Sequence, residues 1–307
     1  RAQASGEAVT ARRARATRFL LSGIGMLLAI LWLFFHPLDA FALADAEAEP
    51  GAALQERIDQ AESGGTVVIP SGTYAGPIVI SKPLVLKAKN GGKVTLINTS
   101  GKPAVTISAD DVAVADITIV DKTAKEEPAV LIKGNRVLLD SLHIVTGSHG
   151  VMMRDAHDGE VKDSVIEWGR EGITSFSEKG NGIDLYNAHR VRLLGNTIKR
   201  VHDGIYLENS DDTVISHNRI ERSRYGVHCM YTKGTVIRDN TGTMNITGAM
   251  IMAVQNVELT GNSFTKQSEN VNSQGILLYD AHETKVIGNA VAGNRVGLYI
   301  EQSANNL

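Results

Sequence analysis

A repeat of 22 residues constrains the fold of this chain more than any other feature of its sequence. A glycine followed by an apolar residue recurs every 22 residues, with one interval of 27, and an asparagine stands 14 residues after five of these glycines. The glycines are Gly182, Gly204, Gly226, Gly248, Gly275 and Gly297, and the asparagines are Asn196, Asn218, Asn240, Asn262 and Asn289. Gly150 begins an earlier and longer unit. Two columns in register indicate a repeat architecture.

Each unit contains three short runs of alternating aliphatic residues with turn residues between them, as in GIYLENSDDTVISHNRIERSRY. This pattern predicts three short strands per unit and no helix. One unit cannot bury its own apolar side, but stacking on copies of itself about 4.8 Å apart does so. We therefore predict an all-β fold, a parallel β-helix with three strands in each coil of about 22 residues. The usual rule for parallel crossovers makes it right-handed.

The asparagine column has a structural explanation. Asparagine tolerates the left-handed turn conformation, and stacked side-chain amides hydrogen-bond from one coil to the next. We expect these five residues to form a ladder in left-handed turn positions rather than to bind a ligand.

The chain divides into an N-terminal segment at 1–44 and a β-helix domain at 45–307, whose regular coils begin at about residue 182. The segment carries five arginines in its first 18 residues, an uncharged apolar run from Phe19 to Phe35, and small residues at Ala42 and Ala44. This order is typical of a secretory signal cleaved after Ala44, or of an uncleaved membrane anchor. Either one predicts export to the periplasm or to the outer face of the membrane.

The two ends of the β-helix domain differ. The stretch from Gly51 to Glu62 has Leu54 and Ile58 four residues apart and predicts a short amphipathic helix. Such a helix would cover the open edge of the first coil. The sequence begins without Met and stops ten residues after Gly297. We therefore expect the true start, further coils and a terminal cap to be absent from it.

The charge balance argues against one class of partner. Residues 45–307 contain 26 Lys and Arg against 32 Asp and Glu, a formal charge of −6. Phosphate backbones require a positive face, so we expect no nucleic-acid partner. The single cysteine cannot form an internal disulfide, and the core must hold the domain together.

Alternation along the strand after each glycine separates inner from outer residues. The first and third residues are apolar and are predicted to point inward, which makes Cys229 a core residue. The inward residues are Val151, Ile183, Ile205, Val227, Ala249, Ile276 and Leu298 at the first position, and Met153, Leu185, Leu207, Cys229, Ile251, Leu278 and Ile300 at the third.

The second and fourth residues are predicted to point outward and form a surface that we call the outer wall. It is rich in aromatic and sulfur-containing side chains, which is typical of a binding surface. Its members are Met152, Asp184, Tyr206, His228, Met250, Leu277 and Tyr299 at the second position, and Arg154, Tyr186, Glu208, Met230, Met252, Tyr279 and Glu301 at the fourth.

Four residues at the centre of the outer wall predict a metal site. His228 and Met230 lie about 6.7 Å apart on one coil, and Met250 and Met252 take the same places about 4.8 Å away on the next. Imidazole and thioether ligands suit monovalent copper. Two alternatives stay open: a flexible hydrophobic platform for another protein, and plain packing under a loop. We expect Tyr186, Tyr206, Glu208 and Tyr279 to belong to a partner surface.

A catalytic interpretation also stays open. Many parallel β-helices act on acidic polysaccharides, and carboxylates here offer general acids and bases. They are Asp184, Asp203, Glu208, Asp211 and Asp212, and the exposed tyrosines Tyr186, Tyr206, Tyr279 and Tyr299 offer sugar-stacking faces. Carboxylates are frequent in turns, however, and these form no recognisable catalytic set. The sequence favours a protein that is not an enzyme. A secreted polysaccharide lyase or epimerase, or a carbohydrate-binding β-helix, is the alternative.

The stretch from Asn181 to Leu307 resembles the NosD family, the exported β-helix proteins of nitrous-oxide reductase maturation. The telling pieces are DGIYLE at 203–208, RYGVHCMY at 224–231, GAMIM at 248–252 and GILLYD at 275–280. The resemblance departs at Cys229 and Ala253, where aromatic residues are typical of the family.

This resemblance implies an accessory factor that delivers copper or sulfur to the reductase as its copper-sulfide cluster is built. It implies association with the ATPase and membrane subunits of an ABC transporter. A copper chaperone and nitrous-oxide reductase itself are further implied partners, and copper, as Cu(I), is an implied transient ligand.

Overall fold

The computed structural model describes residues 51–123, 127–267, 270–271 and 273–307. The signal or anchor predicted at 1–44 lies outside the described residues and stays a prediction. Within the described ranges, no helix combines the length and the apolar character needed to cross a membrane.

The predicted all-β parallel β-helix is confirmed: within the described residues, thirty short strands form three parallel sheets of ten strands each. Sheet 1 contains β1 (Thr66–Ile69), β4 (Leu84–Ala88), β7 (Val112–Ala115), β10 (Leu138–Asp140), β13 (Glu160–Lys162), β16 (Arg192–Leu194), β19 (Val214–Ser216), β22 (Val236–Arg238), β25 (Glu258–Thr260) and β28 (Lys285–Ile287). Sheet 2 contains β2 (Gly72–Ala75), β5 (Val94–Asn98), β8 (Thr118–Asp121), β11 (His143–Thr146), β14 (Val165–Trp168), β17 (Thr197–Lys199), β20 (Arg219–Glu221), β23 (Thr241–Thr243), β26 (Ser263–Thr265) and β29 (Ala290–Ala292). Sheet 3 contains β3 (Ile78–Ile80), β6 (Val105–Ile107), β9 (Val130–Ile132), β12 (Val151–Arg154), β15 (Ile183–Tyr186), β18 (Asp203–Glu208), β21 (Tyr225–Met230), β24 (Thr247–Gln255), β27 (Gln274–His282) and β30 (Val296–Glu301).

The strand pairing reproduces the repeat of the sequence. In sheet 3, Ile205 of β18 pairs with Ile183 of β15 on one side and with Val227 of β21 on the other. The predicted inward columns are buried from Val151 to Leu278, and they form one continuous aliphatic core. On β30 the inward pair is exposed, 44% for Leu298 and 52% for Ile300.

The asparagine ladder is confirmed, and it runs from coil to coil through the turns that join sheet 1 to sheet 2. The Asn196 backbone N–H and Nδ2 both donate to Asn218 Oδ1, and Asn218 does the same to Asn240. The ladder continues through Asn262 to Asn289. The prediction that the asparagines themselves adopt the left-handed conformation was wrong. The residue before each asparagine adopts it instead. These residues are Gly195, His217, Asp239, Gly261 and Gly288, with φ between 55° and 65°.

The glycine column permits close stacking of the coils. A β-carbon on Gly204 would lie 2.6 Å from the carbonyl oxygen of Gly226, and the same would hold between Gly182 and Gly204. Because a real β-carbon does not approach an oxygen so closely, only glycine fits at these points. The column therefore sets the separation between successive coils at the entrance to sheet 3.

The predicted N-terminal helix is present as α1 (Gly51–Gln60). Leu54 and Ile58 are each 1% exposed and pack into the end of the core. Gln55 makes a pair of hydrogen bonds to the edge strand β3: its Nε2 donates to the Val79 carbonyl, and the Val79 N–H donates to its Oε1. The helix thus covers the apolar end and also satisfies backbone groups that an edge strand leaves open.

Replacing one glycine of the column tests the stacking constraint. We expect Gly204→Ala to lower the free energy of unfolding by about 1–3 kcal/mol, because the new methyl group overpacks against the next coil. Gly297→Ala is the matched control, since a β-carbon there meets Val291 Cγ2 at 3.6 Å, an ordinary contact. Urea unfolding followed by circular dichroism measures both. Equal losses in the two variants would contradict the argument.

Candidate functional site

The outer wall is a face of sheet 3, and register brings its columns together as the sequence predicts. His228 pairs with Tyr206 on the preceding coil and with Met250 on the following one. Met230 pairs with Glu208 and with Met252 in the same way. The four predicted copper ligands therefore occupy neighbouring positions on β21 and β24.

Burial differs among these four residues. Met230, Met250 and Met252 are half-buried, whereas His228 is 6% exposed. The expectation that His228 would stand in the open was therefore wrong. The rings of Tyr206 and Tyr225 meet it edge-on, with centroids 5.0 Å and 5.1 Å from the imidazole. These two neighbouring aromatic rings account for its burial.

An acidic residue from the preceding coil orients the His228 ring. His228 Nδ1 lies 2.9 Å from Asp203 Oδ2, and Asp203 also accepts two hydrogen bonds from Arg224, at 2.8 Å from Nε and 2.6 Å from Nη2. Burial by itself would raise the pKa of Asp203, but the hydrogen bonds from Arg224 and His228 bring that pKa below its usual range. Asp203 is therefore an anion at neutral pH, and Nδ1 is the nitrogen that donates.

The second ring nitrogen of His228 is buried without a hydrogen-bond partner among the described residues. Three threonine hydroxyls share that condition, but His228 Nε2 is the one nitrogen among these atoms. With Nδ1 donating to Asp203, Nε2 is the ring nitrogen whose lone pair a metal ion would use. A histidine held in this way by a carboxylate is the arrangement that metal-binding proteins use to fix ring orientation and raise ligand basicity.

The tyrosine beside His228 links it to the thioethers. The Tyr206 hydroxyl donates to Glu208 Oε2 at 2.8 Å and lies 3.6 Å from Met230 Sδ. Burial, together with the hydrogen bond to Glu208, raises the pKa of Tyr206, so the ring stays a neutral phenol. Within the described ranges, no three His, Cys, Asp or Glu side chains group as a metal site. Any metal here would therefore depend on methionine sulfur.

Cys229 lies between His228 and Met230 in sequence but on the opposite face of the strand. It is fully buried in the core, which confirms the sequence prediction. Burial raises the pKa of its thiol to about 12. The thiolate that binds metals is therefore not formed at neutral pH, and Cys229 does not belong to the site.

Thiol labelling tests this placement. We expect Cys229 to resist a small thiol reagent in the native chain and to react fully in guanidinium chloride, because both burial and the raised pKa suppress the thiolate. The chain has one cysteine, so the absorbance of the released reagent reports this residue alone. A Cys229→Ala variant gives the background. Rapid labelling of the native protein would place the sulfur on the surface.

The other carboxylates do not converge on one centre. Asp211 Oδ1 accepts the Lys233 backbone N–H, and Asp212 occupies a left-handed turn at φ 54°, so both have structural roles. Asp184 is 8% exposed and accepts a hydrogen bond from Asn181 Nδ2. Glu208 and Asp203 are engaged as described above. These contacts do not assemble the acid and base pair that a polysaccharide-cleaving enzyme requires.

The four residues of the predicted partner surface differ in exposure to solvent. Tyr186 is 39% exposed, whereas Tyr206, Glu208 and Tyr279 are half-buried.

The sequence did not lead us to assign Asp203, Arg224 and Tyr225 to the histidine site. The signal that marks two of them is a polar residue immediately before five of the six glycines of the column. These residues are Asn181, Asp203, Tyr225, Thr247 and Gln274.

The role of Asp203 is testable through stability. We expect Asp203→Asn to lower the free energy of unfolding by about 1–3 kcal/mol, because the half-buried Arg224 loses the carboxylate that pairs with it. The lowered pKa of Asp203 means that its stabilisation is complete above the ordinary value of 3.8 and is lost as the pH falls toward the folded value. The difference in free energy of unfolding between the wild type and Asp203→Asn, measured by urea unfolding, should therefore narrow as the pH falls from 7 to 3. Asp116→Asn, at an exposed turn, should unfold as the wild type does.

Residues 170–307 match the model of the family described as "Periplasmic copper-binding protein (NosD)". A probable ABC transporter binding protein NosD of Pseudomonas aeruginosa is 30% identical over 193 residues, which cover 60% of this chain. The chain is a parallel β-helix protein that is similar to NosD proteins over these residues.

Two further comparisons define how far this likeness extends. A probable ABC transporter binding protein NosD of Stutzerimonas stutzeri is 30% identical over 142 residues, 44% of this chain. The chain spans 40% of the length of the Pseudomonas relative and 31% of the Stutzerimonas one. An alginate lyase from Paenibacillus sp. str. FPU-7 superimposes with a TM-score of 0.68 over 83% of this chain and 97% of the lyase. At 18% identity, that likeness shows the fold alone.

Proposed function

We propose that this chain is an exported accessory factor that receives Cu(I) on its outer wall and hands it over for assembly of the copper-sulfide cluster of nitrous-oxide reductase. An ABC transporter, through its ATPase and membrane subunits, would drive the process, and a copper chaperone would supply the ion. Sulfur is the alternative cargo. The observation that carries the proposal is the buried Nε2 of His228, which has no hydrogen-bond partner among the described residues, on a strand pair where His228 is in register with Met250 and Met230 with Met252.

The chemistry of the donor set supports a soft monovalent ion. One imidazole nitrogen and the sulfurs of Met230, Met250 and Met252 are neutral ligands that suit Cu(I) and bind hard divalent cations poorly. Neutral ligands also release the ion more readily than thiolates, as a handover requires. The family description as periplasmic and copper-binding agrees with this cargo.

The surroundings of His228 support transient rather than permanent binding. Asp203 and Arg224 fix the ring, so the ion would meet a preformed nitrogen ligand. The methionines on the other side are half-buried and have flexible side chains, so they can follow the ion to a partner. A fixed imidazole ligand combined with mobile sulfur ligands suits a protein that transfers its metal to a partner.

Copper titration of the exported domain tests the proposal. We expect one Cu(I) per chain in competition with a chromophoric chelator, and binding that falls to background in a Met230→Leu/Met252→Leu double variant. Met244→Leu is the matched control, since it removes a thioether from a turn outside the outer wall. Unchanged copper affinity in the double variant would refute a site at these residues.

The ring-orienting carboxylate provides an independent variant for the same titration. We expect Asp203→Asn to weaken copper binding by about tenfold to a hundredfold, as loss of a carboxylate behind a histidine ligand usually does. Thermal unfolding of the same sample confirms that the variant is folded at the temperature of the titration. Equal affinity in the variant and the wild type would mean that His228 does not hold the ion.

The partner surface is proposed to include Tyr186, Tyr206, Glu208 and Tyr279, next to the methionines. We expect Tyr279→Ser to weaken capture of purified nitrous-oxide reductase or of the transporter subunits, because aromatic side chains dominate the energy of protein interfaces. Tyr231→Ser, on an exposed turn beyond the strand, is the control. If the double methionine variant also loses its partner while the wild type binds no copper, the outer wall is a protein-docking surface and not a metal site.

A further inference from the structure

A second candidate site lies three coils before the methionines, where the repeat is interrupted. The interval from Gly150 to Gly182 is 32 residues, ten longer than the regular coil. The additional residues form a loop at 169–180, which contains a 3-10 turn at Phe176–Glu178. Together with strands of sheet 3, this loop lines a half-open cavity of about 480 Å³. That volume is in the range of small-molecule sites, about 300–1,000 Å³.

Hydrogen bonds hold the loop 169–180 in place. His202 Nδ1 donates to the Phe176 carbonyl at 2.6 Å, and the His202 backbone N–H donates to the Gly180 carbonyl at 2.8 Å. At the other end, Trp168 Nε1 donates to the Arg170 carbonyl at 2.9 Å. The loop is therefore a fixed wall of the cavity.

Three cations line the cavity without a partner carboxylate. Arg154, Arg170 and Lys179 all contribute to the lining, and none of them lies within salt-bridge distance of a carboxylate in the part of the chain that the structure describes. Six other arginines pair with Asp or Glu. They are Arg136, Arg190, Arg192, Arg200, Arg219 and Arg224.

Packing positions each of these cations. The Arg170 stem lies against Gly147, where a β-carbon would come within 2.9 Å of Arg170 Cδ. Lys179 Nζ stands 5.2 Å from the Phe176 ring centroid, and burial followed by the charge of Arg200 lowers its pKa. Arg154 Nε lies 3.0 Å from Met152 Sδ. Preorganised charges of this kind lose little entropy when a ligand binds.

The acidic groups of the lining are fewer than its cations. Asp184 is buried, and its Oδ2 accepts a hydrogen bond from Asn181 Nδ2 and lies 3.7 Å from His149 Nδ1. Burial raises the pKa of Asp184 against the opposing effects of that hydrogen bond and of the charges of His149 and Arg154. Glu178 is exposed on the loop. The lining therefore holds three cations against two carboxylates, of which one is buried and bonded to a neutral amide.

We propose that this cavity binds the oxyanion of a small ligand, a carboxylate or a phosphate, between Arg154, Arg170 and Lys179. Guanidinium groups bind both anions through paired charge-assisted hydrogen bonds, and the ammonium of Lys179 adds a point charge. The inference is independent of copper, because none of the three cations is a metal ligand and the site is on different coils.

Calorimetric titration of the chain with sodium phosphate, galacturonate and neutral galactose tests the proposal. We expect binding of phosphate, galacturonate or both, weakened by added salt and weakened about tenfold in Arg154→Gln and in Arg170→Gln. Arg238→Gln, an exposed arginine of β22 away from the cavity, should bind as the wild type does. The tighter of the two anions identifies the source of the oxyanion.

The buried carboxylate of Asp184 provides a variant with the opposite expected effect on anion binding. We expect Asp184→Asn to tighten anion binding, because it removes a negative charge from the lining while it keeps an oxygen to accept from Asn181. A site that were merely structural would not respond in this direction. The proposal is overturned if neither anion binds at millimolar concentration, if galactose binds as well as galacturonate, or if Arg238→Gln weakens binding as much as the cavity variants.

Discussion

Close parallel stacking of the coils is the constraint on which the rest of this structure depends. Each coil must return to its starting point with the chain directly above the previous turn, so that three strands pair at once. The glycine column permits this approach at the entrance to sheet 3, and the asparagine ladder satisfies backbone N–H groups at the turn that follows sheet 1. Neither feature concerns a ligand, yet together they fix the register of every side chain on the outer wall.

The histidine site is a product of that register. Asp203, His228 and Met250 belong to three successive coils, and no two of them are close in sequence. Stacking places the carboxylate behind the imidazole and the thioethers beside it, while alternation hides Cys229 in the core. A one-residue slip would exchange the two faces, bury the methionines and expose the thiol. The geometry of the histidine site therefore depends on how the coils stack.

Both proposed sites lie where the repeat departs from its usual length or composition. The interval between Gly150 and Gly182 is expanded by a loop, and the loop builds a cavity against the sheet. The outer wall of β21 and β24 carries His and Met where a solvated strand would carry charged or small polar residues. A regular solenoid provides a rigid frame, and irregular positions on that frame are available for binding.

The sequence by itself determined the period, the three strands per coil, the capping helix and the division of side chains into inner and outer columns. It succeeded because each of these depends on local alternation and on a repeat, which are visible in one dimension. Tertiary structure decided the burial of His228, its pairing with Asp203 and Arg224, and the shift of the left-handed conformation to the residue before each asparagine. It also decided that Arg154, Arg170 and Lys179 share one cavity. These features depend on contacts between coils, where the distance in space has no relation to the distance along the chain.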